Sequence, residues 1–413
     1  MTELHLRGHR GKGFKSAPVD SAAMRAQNFG LIAQMIWTER QISRVEIARR
    51  TGLSPSTVTL IVSDLTQAGL VREVGTQTSA RGRRPTLLSF NDDVYNIVGV
   101  ELGIRHVAVA LTDLRGNVRA FRSERSEMRD GPERTLDKAR ELISDCIKDG
   151  KIAKKKVLGV GVGVPSPINQ REPGLLSSRL YPNWAGHDVK KDLEKSLRLP
   201  VFVDNDANLG ALAEQWWGAG VGQEDLVYIK IGAGIGAGHV LDGELYRGAA
   251  GTAGEIGHVC VDPNGPPCNC GSRGCLVKLI GSDSLIPRIR QILKERQADI
   301  ATLVERAQNG DPRAVALIKE VAAHLGQVVS GSLVNLIAPS VIVLGGEICS
   351  AGRLLLEPLR EYVDQRLFTD AFDSKQLLLS SLGPQSVAIG AATLYLNEAL
   401  RRPDRYLVAE DAG

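Results

Sequence analysis

The chain has 413 residues, of which 43% are hydrophobic, 24% charged and 4% aromatic. This composition excludes the disordered, collagenous and coiled-coil classes, and the length suits two or three domains with apolar cores. No apolar run approaches the roughly 18 residues of a membrane span, and the basic N-terminus lacks the apolar core of a signal peptide. The sequence therefore predicts a cytoplasmic protein without a membrane partner.

Positive charge is concentrated at the N-terminal end. Residues 1–90 carry 13 Lys and Arg against 6 Asp and Glu, a net charge of +7, whereas the whole chain carries only +4. A basic first domain next to a mildly acidic remainder favours a polyanion as partner. On the evidence of charge alone, a solvated charged surface is an equally good explanation. Residues 1–20 are rich in Gly, Lys and Arg and are predicted to form a flexible basic arm.

Two short helices with a glycine between them are predicted after a longer amphipathic helix over residues 22–37. Ser43, with Glu46 three residues later, predicts an N-cap of the capping-box type. Gly52 ends that helix, and the next helix is predicted to begin at Ser54. This spacing is typical of a helix-turn-helix, in which the helix after the turn enters the major groove of DNA.

The helix after the turn and the segment that follows it hold the candidate DNA contacts. Residues 70–74 and 86–90 are predicted strands joined by a basic loop, which would make the domain a winged helix with this loop as its wing. Arginine is favoured in the minor groove because the groove has a negative potential. A helical protein-interaction domain with a charged hairpin is the alternative. The candidate DNA-binding residues are Ser54, Ser56, Thr57 and Thr59 on the helix and Arg81, Arg83 and Arg84 on the wing.

From about residue 95 the chain alternates apolar strands with helical segments, which is typical of an α/β domain. Several of these strands end in a glycine turn, as expected of two similar lobes that face a cleft. Strands are predicted over residues 97–111, as two strands around a turn, and over 157–164, 201–203, 226–231 and 341–344.

Three of the six cysteines, Cys268, Cys270 and Cys275, fall within eight residues, and His258 stands ten residues before the first of them. Three thiolates and one imidazole complete a tetrahedral shell for Zn²⁺, and a full protein shell leaves no position for a catalytic water. We therefore predict a structural zinc site. Reduced cysteines in a tight turn are the alternative.

Two further patterns point to a ligand site. Asn205 and Asp206 follow a predicted strand, where an open α/β sheet binds its ligands, and Glu255 supplies a further carboxylate. Asp206 could bind a polyol hydroxyl or accept its proton. The alternative is that this segment is only a turn rich in Asn and Asp. The amides of the glycine run at residues 232–238 could cradle phosphate, although any glycine-rich hairpin has this composition.

Four longer motifs follow one another along the chain: VDNDANLGALAEQWWGAG, IGAGIGAGHVLDGELYRGAAGTAGEIGHV, CNCGSRGCL and VIVLGGE. By the order and spacing of these motifs the chain resembles, from about residue 99 to residue 400, the ROK family, which contains bacterial sugar kinases and sugar-responsive repressors. A winged helix ahead of these motifs is the arrangement of the regulator branch. The resemblance implies a two-lobed, actin-like or hexokinase-like ATPase-type fold with a zinc-binding loop and a sugar in the cleft.

The resemblance also implies roles for single residues. Asp206 matches the catalytic base of the kinases, and the pair Asn183 and Trp184 would flank the sugar. The sugar-binding positions are Asn205, Asp206, Glu255 and His258, of which His258 is also a zinc ligand. The vestigial nucleotide-binding positions are Gly103, Gly234, Gly236, Gly345 and Gly346.

The departures from the kinase pattern lie mostly at the phosphate loops. Where the kinases have Asp-x-Gly-x-Thr-Lys, this chain has the segment from Glu101 to His106, in which Arg105 adds bulk and charge in place of a small Thr. Ala233 replaces a Thr in the second phosphate loop, and Val277 replaces a sugar-contacting Glu. These changes affect phosphate binding more than they affect the catalytic carboxylate.

We therefore predict a sugar-responsive transcriptional regulator, expected to be a repressor, that has lost phosphotransfer and binds double-stranded, pseudo-palindromic operator DNA as a homodimer or homotetramer. The alternative is an ATP-dependent sugar kinase with an attached DNA-binding domain, for which ATP and Mg²⁺ would be cofactors. A regulator controlled by a protein partner is a third class. The predicted domains are a basic arm (1–20), a winged helix-turn-helix (21–90), a first lobe (95–215), a second lobe whose C-terminal helix returns to the first (216–400), and a tail (401–413).

Overall fold

The computed structural model describes residues 21–76, 85–367 and 372–407. The chain divides into two compact units, one formed by residues 1–91 together with 398–413 and the other by residues 92–397. In the described residues, no helix combines the length and the apolar character that crossing a membrane requires.

The first unit contains the predicted winged helix. Its three-stranded antiparallel sheet has the order β1-β3-β2, and buried side chains of the helices pack against it. The elements are α1 (Ser21–Glu39), β1 (Ile42–Ser43), α2 (Arg44–Thr51), α3 (Pro55–Gln67), β2 (Val71–Thr76) and β3 (Thr86–Phe90). The C-terminal helix α14 (Pro403–Tyr406) belongs to the same unit and packs on α1.

The helix caps follow the sequence prediction with one exception. Ser43 Oγ accepts a hydrogen bond from the backbone N–H of Glu46 at 3.2 Å, and Gly52 ends α2 in the left-handed conformation, with a φ of 70°. The capping box is not completed, because the Glu46 carboxylate instead accepts two hydrogen bonds from Arg49, the shorter at 2.6 Å. A charged partner on the next turn outcompetes the neutral backbone donor.

The second unit begins with a mixed five-stranded sheet of order β6-β5-β4-β7-β8, in which β7 and β8 run parallel to β4. β4 and β7 are apolar over almost their full length because both faces of this sheet are covered. The strands are β4 (Asn96–Leu102), β5 (His106–Asp113), β6 (Val118–Arg125), β7 (Val157–Val164) and β8 (Val201–Asn205). The associated helices are α4 (Pro132–Asp149), α5 (Val189–Leu197) and α6 (Asp206–Trp217).

A second five-stranded sheet, of order β11-β10-β9-β12-β13, repeats the plan. Its strands are β9 (Leu226–Ile231), β10 (Ile235–Leu241), β11 (Glu244–Tyr246), β12 (Val341–Gly345) and β13 (Leu377–Leu379). Its helices are α7 (Leu276–Ile280), α8 (Ser282–Leu293), α9 (Ile300–Gln308), α10 (Pro312–Val328), α11 (Asn335–Ile337) and α12 (Arg353–Asp364), with a π-helical segment, Val329–Val334, between α10 and α11. The helix α10 therefore continues past Val328 with a change of helical type.

Two helices connect the two sheets through glycine contacts. A Cβ added at Gly161 on β7 would lie 1.7 Å from the carbonyl oxygen of Ala391 on α13 (Ser386–Arg401). A Cβ added at Gly390 of α13 would lie 1.8 Å from the carbonyl oxygen of Leu209 on α6, and one added at Gly238 on β10 would lie 2.2 Å from the carbonyl oxygen of Ala207 on α6. These contacts fix α6, and therefore the polar residues at its N-terminus, between the two sheets.

Candidate functional sites

The first turn of α3 is held together by its own hydroxyl groups. Ser54 Oγ accepts from the backbone N–H of Thr57 at 3.1 Å and lies 2.8 Å from the hydroxyls of both Ser56 and Thr57. Thr59 donates its hydroxyl hydrogen to the carbonyl of Pro55 at 2.8 Å. Ser54 is therefore engaged as the N-cap, while Ser56 and Thr59 remain exposed.

Leu60 lies on the exposed side of the same helix and was not among the predicted DNA contacts. Its side chain is 54% exposed, although Val58, Ile61 and Leu65 on α3 are buried. The sequence contained the signal, because the helical pattern that places those residues inward leaves Leu60 outside it. An exposed apolar side chain on such a helix suits the methyl group of thymine.

The three predicted wing arginines, Arg81, Arg83 and Arg84, lie outside the described residues. The strands on either side of them, β2 and β3, pair in antiparallel fashion from Val71–Phe90 to Thr76–Thr86. The described strands are thus joined by a short basic segment.

Four side chains form a candidate metal centre. One ligand atom from each of His258, Cys268, Cys270 and Cys275 lies within 4.8 Å of all the others. His258 Nδ1 is 3.5 Å from Cys268 Sγ, and the sulfurs of Cys270 and Cys275 are 3.6 Å apart. A tetrahedral ion with metal–sulfur bonds of about 2.3 Å separates its sulfur ligands by roughly 3.8 Å, so this spacing fits zinc.

The electrostatics of the cysteines also fit a cation. Burial and the neighbouring cysteines raise the pKa of Cys275 to about 12, whereas hydrogen bonding from the backbone of Ser272 lowers the pKa of Cys270. Crowded sulfurs resist ionising together unless a positive ion lies between them, and a dication supplies that charge. The neighbouring Cys260 is exposed and is not part of the cluster.

Glu255 lies beside this cluster. His258 Nε2 is 3.9 Å from a carboxylate oxygen of Glu255, on the side of the ring opposite to the cysteines. Burial, together with the charge of Asp206, raises the pKa of Glu255. Asp206 is therefore close enough to Glu255 for the two charges to interact.

Asn205 and its neighbours are fixed by hydrogen bonds at the junction of β8 and α6. Asn205 Oδ1 accepts from the backbone N–H groups of Ala207 and Asn208, and Asn205 Nδ2 donates to the carbonyl of Ser166. Asp204 accepts from Arg247 Nε at 2.7 Å. The cap orients α6 so that Asp206 begins its first turn.

Asp206 is 8% exposed and is bound to Lys230 on β9, a residue that the sequence analysis did not select. Lys230 Nζ lies 2.6 Å from Asp206 Oδ2 and 2.6 Å from Glu101 Oε1. The contact with Oδ2 leaves Asp206 Oδ1 for a ligand.

The pair that was expected to flank the sugar is engaged elsewhere. Trp184 is fully buried in the core of the first lobe, where its indole N–H donates to the carbonyl of Met128 at 2.8 Å. Asn183 donates to the carbonyl of Arg129 at 2.9 Å. The Trp184 ring thus packs in the core of the first lobe, and its expected position beside the sugar stays a prediction.

The two candidate phosphate loops lie against each other. A Cβ at Gly234 would be 3.2 Å from Ile104 Cδ1, and Arg105 forms an ion pair with Asp283 in the first turn of α8. The predicted phosphate cradle over residues 232–238 was too long, because only the turn between β9 and β10 is a loop and Gly236 and Gly238 lie within β10. Gly238 is required by close packing and not by an anion.

The remaining predicted nucleotide positions are also tightly packed. A Cβ at Gly103 would lie 2.5 Å from the imidazole of His106, and a Cβ at Gly345 would lie 2.1 Å from the hydroxyl of Tyr228. Gly346 has a φ of 119°, a conformation that favours glycine.

Comparison with known proteins identifies both parts of the chain. The ROK family matches residues 97–398, and a winged helix-turn-helix DNA-binding domain matches residues 29–72. The chain is 31% identical over 388 residues to the xylose repressor of Caldicellulosiruptor bescii, covering 91% of this chain and 96% of the repressor. It is 31% identical over 312 residues to the glucokinase of Thermotoga maritima, covering 72% of this chain and 96% of the glucokinase.

A solved structure is similar over almost the whole length. The ROK family transcriptional regulator described as a homolog of the E. coli MLC protein superposes with a TM-score of 0.79 at 25% identity, covering 93% of this chain and 99% of that one. The chain therefore belongs to the ROK family and carries a winged helix-turn-helix domain ahead of its ROK domain.

Proposed function

We propose that this protein is a sugar-responsive, DNA-binding transcriptional repressor whose ROK domain binds a sugar without phosphorylating it. The observation that carries the proposal is the coverage of its relatives. The xylose repressor matches 91% of this chain, including the winged helix, whereas the glucokinase matches 72%.

The DNA contacts come from α3 and from the wing. Ser56, Thr59 and Leu60 on the exposed side of α3 contact base edges in the major groove, and Thr57 supports them from the first turn. The wing arginines bind the DNA backbone and the minor groove. A homodimer or homotetramer presents two such domains to a pseudo-palindromic operator.

The sugar is bound by Asp206, Asn205, Glu255 and His258. Asp206 Oδ1 and the Glu255 carboxylate accept hydrogen bonds from sugar hydroxyls, and the position of Asn205 is fixed by its capping role. Because the relatives include xylose repressors, D-xylose is the first sugar to test.

His258, Cys268, Cys270 and Cys275 would hold Zn²⁺, which would have a structural role there. Four protein ligands complete its shell. When bound, the ion fixes the loop that also carries Glu255, and it sets the orientation of the His258 ring.

Phosphotransfer is lost because the phosphate loops are closed by the chain's own side chains. Ile104 lies against the turn at Gly234, and the Arg105–Asp283 ion pair spans the same opening. A triphosphate with its Mg²⁺ needs close backbone approach from both loops, which these contacts obstruct.

Sugar binding alters DNA affinity through the ROK domain. A sugar that prefers one arrangement of the lobes shifts the equilibrium by its differential affinity for that arrangement.

The proposal is tested by two assays on the zinc-loaded full chain. Selection from random double-stranded DNA should recover a pseudo-palindrome, and ADP release with Mg-ATP should be absent across hexoses, pentoses and amino sugars. ADP release that disappears in Asp206→Asn would instead establish the sugar kinase, for which the intact Asp206 and the glucokinase relative are the supporting observations.

A further inference from the structure

Lys230 joins elements from both sheets of the ROK domain. It lies on β9, and its ammonium binds Glu101 at the end of β4 and Asp206 at the start of α6, each at 2.6 Å. Glu101 is 4% exposed, and the Lys230 side chain is 18% exposed. An ammonium in contact with two carboxylates at this depth is an internal counter-ion and not a surface ion pair.

The surroundings of the ammonium are predominantly anionic. The second oxygen of Glu101 lies 3.3 Å from His106 Nε2, and Glu255 adds a further carboxylate near Asp206. Burial alone would lower the pKa of Lys230, but Asp206 and Glu101 raise it above its ordinary value. Lys230 therefore stays protonated, and it neutralises a pair of carboxylates that would otherwise repel each other.

Resting on the proposed role of Asp206 in sugar binding, we infer that the Lys230 ammonium is a built-in cation that takes the place of a divalent metal ion between Glu101 and Asp206. It holds Asp206 as a fixed acceptor for a sugar hydroxyl. The sugar site then needs neither a divalent cation nor a nucleotide.

Two physical consequences follow from this arrangement. The hydrogen bond from the Lys230 ammonium to Oδ2 fixes the position of the Asp206 carboxylate, so that Oδ1 is held in place as an acceptor for a sugar hydroxyl. The Lys230 ammonium also excludes a divalent cation from this point. Such an ion would need both carboxylates as ligands, and Lys230 already binds both of them.

The most direct test removes the ammonium and asks whether a metal ion replaces it. The variants are Lys230→Ser, which leaves space for an ion, and Lys230→Gln, which is neutral and nearly the same size. The probe is Mn²⁺, measured by electron paramagnetic resonance on the zinc-loaded full chain. The matched controls are Lys230→Arg, which keeps the charge, and Lys230→Ser combined with Asp206→Asn, which removes one ligand.

We expect the wild type and Lys230→Arg to have no Mn²⁺ site that depends on Asp206. Lys230→Ser should bind one Mn²⁺ ion, and the double variant should lose that ion. The melting temperature of the neutral variants should rise with the concentration of Mn²⁺, since a ligand that binds only the folded state stabilises it. A folded neutral variant without Mn²⁺ affinity would overturn the inference. So would a Mn²⁺ site in the wild-type protein that the single variant Asp206→Asn removes.

A second readout is D-xylose binding by calorimetry, with zinc as the only divalent ion. Lys230→Gln should lose affinity by at least about tenfold, and Mn²⁺ should restore part of it if the ion orients Asp206 as the ammonium did. If Lys230→Gln binds Mn²⁺ but its affinity for D-xylose stays low, the role of Lys230 in positioning Asp206 is contradicted. The Mn²⁺ measurement needs no sugar and therefore tests the role of Lys230 by itself. A wild-type protein that binds no sugar would contradict the proposed function without changing the outcome of the Mn²⁺ measurement.

Discussion

The imidazole of His258 lies between two sites: its Nδ1 atom is 3.5 Å from Cys268 Sγ, and its Nε2 atom is 3.9 Å from the carboxylate of Glu255. The metal centre and the candidate sugar site therefore share one side chain. A substitution at the cysteines should change the affinity for the sugar, because the orientation of the His258 ring depends on both neighbours.

Removal of the metal should lower stability and sugar affinity together. Cys270→Ser should reduce the melting temperature by at least about 5 °C, since roughly 2–4 °C corresponds to each kcal/mol and metal binding is coupled to folding. The measurements are metal content by elemental analysis and melting by calorimetry. Cys260→Ser is the matched control, because this exposed cysteine lies outside the cluster. Unchanged melting in metal-free protein would rule out a structural metal.

The contact between β7 and α13 should tolerate no side chain at Gly161. In Gly161→Ala the new Cβ would lie 1.7 Å from the carbonyl oxygen of Ala391, so the sheet and the helix must separate. We expect a loss of about 1–3 kcal/mol or more in the free energy of unfolding, measured with urea. Gly331→Ala is the control, because a Cβ there meets nothing within 4 Å, and equal effects of the two would contradict the account.

The stability of the ROK domain should depend on the ionisation of Glu101. Burial would raise the pKa of Glu101, but Lys230 and His106 lower it from 4.5 to about 2. Because the folded-state pKa is depressed, this stabilisation is complete above the unfolded value and is lost as the pH falls from about 4.5 toward about 2. Glu101→Gln should therefore show a shallower decline of unfolding free energy with acidification than the wild type. Parallel curves for the two proteins would show that Glu101 contributes nothing.

Ser54 and Ser56 should respond differently to substitution. Ser54→Ala removes the cap of α3 and should cost about 1 kcal/mol, whereas Ser54→Asn keeps a capping oxygen and should restore the stability. Ser56→Ala should leave stability nearly unchanged and alter the preferred operator sequence. The measurements are urea unfolding and selection from a randomised operator. A changed operator preference in Ser54→Asn would assign base contact to Ser54 itself.

The parts of the protein that were predicted from sequence depend on local spacing. The helix after Ser54, the strand over residues 157–164 and the four-residue metal cluster each follow from residues close together in the chain. Periodicity and ligand spacing report such features directly. The alternation of strands and helical segments also predicted the α/β class, whereas the two-lobed fold was implied by the resemblance to the ROK family.

The features that were missed depend on contacts between distant segments. Lys230 is one polar residue in an apolar strand, and such a residue ordinarily faces solvent. Only the approach of β4 and α6 shows that it is surrounded by carboxylates. In the same way, Asp283 gave no sign of pairing with Arg105, which is 178 residues away. The packing of Gly238 against Ala207, which removes Gly238 from the predicted phosphate cradle, is likewise a tertiary contact.

The central claim is that a sugar changes the affinity of this protein for DNA without being phosphorylated. The most direct measurement is the fluorescence anisotropy of a labelled, selected operator titrated with the zinc-loaded protein, with and without D-xylose and the other sugars. We expect one sugar to shift the operator Kd by roughly 5–150-fold, without Mg-ATP, and Asp206→Asn to abolish the shift. An operator affinity that no sugar changes would show that the protein is not a sugar-responsive repressor and would favour control by a protein partner.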